Sequence, residues 1–143
     1  MKRYLLDVNI LIALIDPAHI QHEHIHEWFG RVGHRSFATC PLTENGLLRI
    51  VGHPKYPNSP GPPSALVVAL QAMRAMAGHA FWPDSISLVG SPFVDASQLI
   101  SHTRVTDSYL LGLARANKGV LATLDTKLAT EVVADGAKYL ELI

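Results

Sequence analysis

Four acidic residues, Asp7, Glu44, Asp107 and Asp125, stand at the ends of apolar runs that lie far apart in the chain. An ionised carboxylate at the end of a buried strand loses much of its hydration and needs a partner. A chain that places several acids at such points is expected to build one site from distant segments. The natural partner for converging carboxylates is a hard divalent cation, Mg²⁺ or Mn²⁺, which prefers oxygen ligands. Without it the acids repel one another, and some are forced to stay protonated. The chemistry that such a site serves is metal-assisted attack on a phosphodiester.

Each acid also has an ordinary explanation. Asp7 and Asp125 could cap the segments that follow them. Asp107 suits the first turn of a helix, where the dipole favours an anion. Glu44 taken singly is a solvated helix residue. Only the joint placement points to a site, so the elements that carry the acids matter.

Residues 3–7 read as a short buried strand ending at Asp7, with an apolar, helix-prone stretch over 8–15. Asp16-Pro17 breaks it, because proline disfavours helix at the residue before it. Residues 18–29 have amphipathic spacing, with Ile20, Ile25, Trp28 and Phe29 as the expected buried stripe. Residues 36–40 form a second strand, and Pro41 and Thr43 open a helix to Val51 that carries Glu44. Residues 52–63 hold five prolines and two glycines and form a long loop. Ser64 is expected to cap a helix to about Ala77, with Leu66, Val67, Leu70 and Met73 inward. Phe81 and residues 86–89 have strand character, and 92–100 a short helix. Thr106 is placed to cap a helix over 107–117 that Lys118-Gly119 stops. Residues 119–124 form a strand ending at Asp125. A helix over 126–133 and a strand over 139–143 follow.

Strands alternating with helices point to an α/β fold with a mainly parallel sheet, in one domain spanning residues 1–143. In such sheets ligands collect at the carboxyl ends of strands, where Asp7 and Asp125 fall.

Hydrophobic residues make up 48% of the chain and charged residues 17%, which argues against disorder. The formal net charge is zero, so any nucleic-acid binding must come from a local patch. Cys40 is the single cysteine, which fits a reducing, cytoplasmic setting and reads as a small buried hydrophobe. The basic start and the apolar run to Ile15 imitate a leader. Asp7 and Asn9 interrupt that run, no small-residue cleavage site follows, and it is too short to span a bilayer. No membrane association is expected.

His22 and His26 have i, i+4 spacing that could bind zinc, but no cysteine or further carboxylate is placed to complete a site. With His19 they read as a solvated helix face. Arg49 lies just beyond Glu44, and Arg104 just precedes Thr106-Asp107. Each is a candidate contact for nucleic-acid phosphate or a surface ion-pair residue.

Several of these pieces, taken in order, closely resemble the PIN-domain family, and within it the VapC toxins of bacterial toxin–antitoxin pairs. They are Leu6-Asp7-Val8-Asn9, Thr43-Glu44, Val105-Thr106-Asp107-Ser108-Tyr109-Leu110 with Ala114 one turn on, and Ala122-Thr123-Leu124-Asp125. The Pro-rich loop and the chain length are similar to a long-loop subgroup.

The resemblance implies a PIN-like three-layer α/β/α fold and a Mg²⁺- or Mn²⁺-dependent endoribonuclease inhibited by a cognate antitoxin. By position, Asp7 and Asp107 match the principal metal ligands, and Glu44 and Asp125 the remaining acids. Asn9, Thr106 and Thr123 match supporting polar residues. The general base is expected to be Asp125 or Glu44. A homodimer is expected too, both from the resemblance and from the apolar surplus on the helix bearing Leu66, Val67, Leu70, Met73 and Met76.

Other functions fit less well. A module that binds RNA or a partner without cutting does not need all four acids. A phospho-accepting receiver domain needs a mid-chain aspartate, and none lies between Glu44 and Asp84. A PIN nuclease of RNA maturation, with no antitoxin, is the nearest alternative.

Overall fold

The computed structural model describes residues 1–143. In chain order the elements are β1 (Tyr4–Leu6), α1 (Val8–Ile15), α2 (His22–Arg31), β2 (Phe37–Thr39), α3 (Pro41–Val51), α4 (Pro63–Arg74), β3 (His79–Phe81), α5 (Val105–Ala116), β4 (Val120–Thr123) and β5 (Leu140–Leu142). The strands form one sheet in the order β3-β2-β1-β4-β5, with every neighbouring pair parallel. This is the expected α/β architecture.

Period-two alternation in the central strands builds the three layers. Leu6, Phe37 and Ala122 face one side, where they meet Ile10 and Leu11 of α1, Ile25 and Trp28 of α2, Leu47 of α3 and Leu66 of α4. Leu5, Ala38 and Leu121 face the other side, against Leu110, Leu111 and Leu113 of α5 and Trp82. Both faces of the sheet are covered, so its strands read as continuous apolar runs. Each fully buried leucine contributes roughly 1.5–3 kcal/mol relative to exposure. Cys40 is fully buried in the second cluster, as a small hydrophobe.

The chain leaves β1 for β2 on one side and reaches β4 on the other. The carboxyl ends of β1 and β4 therefore flank a topological switch point, where an open parallel sheet leaves a crevice.

Several expected elements differ. Residues 92–100 hold only a 3₁₀ turn, Ala96–Gln98, and 126–133 form no helix. Their backbones pair with each other instead: Asp95 N–H donates to Val132 O at 2.7 Å and Ala134 N–H to Phe93 O at 2.9 Å. A lone antiparallel bridge joins Val94 and Val133. Residues 86–89 hold no strand, and only His79–Phe81 pairs with the sheet.

Ile20 is 93% exposed, because α2 starts only at His22, after a turn closed by His19 N–H on Asp16 O. Pro63 rather than Ser64 opens α4, its fixed φ being suited to the first helical position. Thr106 does not cap α5, which begins at Val105 directly after a 3₁₀ turn over His102–Arg104. Leu66, Leu70 and Met73 of α4 are spent on the protein's own core, while Val67 and Val68 remain outside at 37% and 67% exposure. The apolar surplus expected on that helix is smaller than its composition suggests. No helix is long and apolar enough to cross a membrane.

Candidate active site

Asp7 follows β1 and caps α1, its Oδ1 accepting the Val8 N–H at 2.7 Å. Its Oδ2 accepts the Thr123 hydroxyl at 2.8 Å. Thr123 ends β4, and its Oγ1 in turn accepts Asn9 Nδ2 and the Asp125 N–H, each at 3.1 Å. Asn9 Oδ1 accepts the Leu124 N–H at 3.2 Å. One donor and two lone pairs are all that a hydroxyl offers, so Thr123 is saturated. The network fastens the ends of β1 and β4 together and fixes the buried face of the Asp7 carboxylate.

Asp107 enters from above, in the first turn of α5. Its carboxylate makes no hydrogen bond. Burial, followed by the charges of Asp7 and Asp125, pushes its pKa up to about 6. Asp7 is raised as well, chiefly by burial and further by Asp125, with the Thr123 and Val8 hydrogen bonds working against the rise. Asp125 Oδ1 accepts the Lys127 N–H at 2.9 Å in a tight turn, leaving its second oxygen without a partner. Asp107 and Asp125 line a cleft of about 240 Å³ with Thr103, Arg104 and Lys127. Three acids from separate segments thus share one electrostatic field.

Glu44 is engaged by other partners. Its Oε2 accepts the Thr39 hydroxyl at 2.7 Å, and its Oε1 meets Arg74 Nη1 at 3.3 Å. Its charge contributes to the shift of neither Asp7 nor Asp107. With its one proton given to Glu44, the Thr39 hydroxyl must accept from His79 Nε2, 2.7 Å away, which fixes the protonated nitrogen of that ring.

The other sequence candidates divide. Asn9 and Thr123 support the acids directly. The Thr106 hydroxyl makes no hydrogen bond, and the residue lines a separate groove with Leu42, Ile86 and Tyr109. Arg104 borders the acidic cleft but spends Nη1 on Gln98 O at 3.1 Å and faces Glu131 at 3.8 Å. Arg49 lines a groove under the Pro-rich loop with His53 and Pro63. His22 and His26 have ring centroids 4.9 Å apart, and no third ligand joins them. Thr39, Arg74 and Lys127 were not legible as neighbours of the acids. Only Thr39 carried a signal, a polar residue closing a strand at the same sheet edge as Asp7.

The donor set suits a hard cation. It consists of carboxylate, hydroxyl and amide oxygens, with no sulfur or imidazole, and the half-buried Asp107 carboxylate makes no hydrogen bond or ion pair. As they stand, no three His, Cys, Asp or Glu side chains lie close enough together to grip an ion. A cation would have to draw the three like-charged groups inward.

The raised Asp107 pKa has a consequence for the metal-free protein. The folded state keeps a proton that the unfolded chain has already released, so stability falls as pH rises from about 4 to about 6. Asp107→Asn removes this penalty. With solvent screening of a half-buried group taken into account, it is expected to stabilise the protein at pH 7 by on the order of 1 kcal/mol, a few degrees in Tm. The gain should vanish below about pH 4. Melting curves in EDTA at both pH values check this, and a lower Tm for the variant at pH 7 contradicts it.

No family model matches the chain. Individual relatives do. Ribonuclease VapC44 of Mycobacterium tuberculosis is 37% identical over 136 residues, covering 95% of each chain. Ribonuclease VapC38 of the same organism is 42% identical over 131 residues, covering 88% of this chain and 87% of the relative. Ribonuclease VapC39 is 39% identical over 125 residues, covering 87% and 90%. The crystal structure of VapBC2 from Rickettsia felis, bound to a DNA fragment from their promoter, matches with a TM-score of 0.59. It is 16% identical and covers 99% of this chain and 98% of that one, a likeness of fold. With its parallel PIN-like sheet and relatives at this identity over nearly its whole length, the chain belongs to the VapC ribonuclease family of PIN-domain proteins.

Proposed function

We propose that this protein is a Mg²⁺- or Mn²⁺-dependent endoribonuclease and the toxin of a toxin–antitoxin pair. The observation that carries this reading is the convergence of Asp7, Asp107 and Asp125 at the switch point of the sheet, where burial first and then neighbouring acid charge raise the proton affinities of Asp7 and Asp107. Family membership adds the substrate class, since the relatives are named ribonucleases.

Asp7, Asp107 and Asp125 would hold the cation, with Glu44 as a flanking fourth acid. When bound, the cation supplies positive charge for the phosphate oxygens and lowers the pKa of water. Thr123 holds one oxygen of Asp7 in place and so sets the direction of the other. Asp125 has an oxygen free of hydrogen bonds, whereas both oxygens of Glu44 are engaged. Asp125 is therefore the better placed of the two to take a proton from the attacking water. An antitoxin would silence the site by presenting an arginine, whose planar guanidinium pairs bidentately with carboxylates.

The test is cleavage of single-stranded RNA by the purified protein, with new 5′ ends mapped. Cleavage should appear with Mn²⁺ or Mg²⁺, stop in EDTA and return when metal is added back. Undiminished cleavage in EDTA contradicts the metal mechanism, and none under any condition contradicts the nuclease.

A further inference from the structure

The carboxyl edge of the sheet extends past the acids to β3. Because all strands run the same way, Phe81 at the end of β3 shares an edge with Asp7 at the end of β1. Two strand spacings separate them, roughly 10 Å. Phe81 is 38% exposed, unusual for a large aromatic at a strand end in a well-covered sheet. The Arg74 guanidinium lies over its ring, 4.5 Å from the centroid. Arg74 also reaches Glu44 through Nη1 alone, and its side chain is 45% exposed.

A guanidinium has five N–H donors, and those of Arg74 other than the one directed at Glu44 make no hydrogen bond. Its plane is fixed on one side by Phe81 and its direction by Glu44. Such an arginine is pre-ordered, with its remaining donors facing solvent beside the acidic site. Arg104, by contrast, is tied to Gln98 and Glu131, and Arg49 lies under the Pro-rich loop.

Resting on the ribonuclease reading, we infer that Arg74, backed by Phe81, is a nucleotide subsite that holds single-stranded RNA beside the cleaved bond. The guanidinium donates to a backbone phosphate, and its plane together with the exposed part of the Phe81 ring stacks an unpaired base. Flat cationic and aromatic surfaces suit splayed single strands and do not fit a closed duplex. The subsite draws a polyanion to a protein of zero net charge, and it counters the repulsion between phosphate and the acids.

The experiment is fluorescence anisotropy of a labelled single-stranded RNA 12-mer with the full protein in EDTA, across a salt series. Arg74→Gln is expected to weaken binding roughly 10-fold, as loss of a charge-assisted hydrogen bond implies. It should also flatten the slope of log affinity against log salt by about 0.7, one phosphate contact on a single strand. Arg74→Lys should restore the slope, which a purely structural role for Arg74 would not do. Phe81→Ala should weaken binding about fivefold with the slope unchanged.

An Arg74→Gln variant that matches wild type in affinity and slope overturns the subsite. So does equal binding of duplex and single strand, or a loss confined to antitoxin binding. The ribonuclease reading is judged separately by metal-dependent cleavage: a wild type that binds RNA through Arg74 but never cuts it keeps the subsite and loses the nuclease.

Discussion

Asp7→Asn is expected to abolish metal-dependent RNA cleavage while leaving the fold intact. Asp7 is the hub of the site: it caps α1, accepts the Thr123 hydroxyl and repels Asp107. Asparagine is nearly isosteric, so the cap to Val8 N–H can persist through its carbonyl oxygen. What goes is the negative charge that would meet the cation. Thr123→Val provides a graded comparison. It keeps every acid but frees the Oδ2 edge of Asp7 and strands the Asn9 and Asp125 donors. Loss of a group that orients a metal ligand typically costs about 10–100-fold in metal affinity or activity. Asp7→Asn should therefore fall well below Thr123→Val in a single-turnover cleavage assay. Equal activities of Asp7→Asn and wild type would remove Asp7 from the site.

The second large effect is on growth. Expressed alone in its host, the wild-type protein is expected to arrest or strongly slow growth, and co-expression of the adjacent upstream gene should rescue it. Asp7→Asn accumulated to the same level should be harmless. An acidic cleft left open to solvent is available both to RNA and to an inserted arginine. Accumulation of wild-type protein with no effect on growth or RNA contradicts the toxin reading. RNA maturation without an antitoxin then becomes the better account.

The parts of this site legible in the sequence were those set by local rules. Asp7 and Asp125 each follow a short apolar run, and such runs are buried parallel strands whose carboxyl ends share an edge. Asp107 opens an apolar-periodic helix, and its neighbours fix where that helix starts to within two residues. The rest depended on contacts between distant segments. Arg74 meets Glu44 across 30 residues, and His79 meets Thr39 across 40, with no spacing rule to reveal either.

The missing helices failed for a similar reason. Leu128, Val132 and Val133 look like a helical stripe, but the turn at Asp125 and the pairing of 93–95 with 132–134 satisfy the backbone differently. Glu44 shows how far position in a motif carries. Its place after β2 was readable, while its engagement by Thr39 and Arg74 was not.

We propose that Asp7, Asp107 and Asp125 together hold a divalent cation. The most direct test is a Mn²⁺ titration followed by the electron paramagnetic resonance signal of the free ion, with wild type, Asp7→Asn, Asp107→Asn and Asp125→Asn side by side. Wild type should remove Mn²⁺ from solution, and each variant should bind more weakly by at least the ~10–100-fold expected for a mere supporting residue. Binding by Asp7→Asn or Asp107→Asn that equals wild type would contradict this proposal.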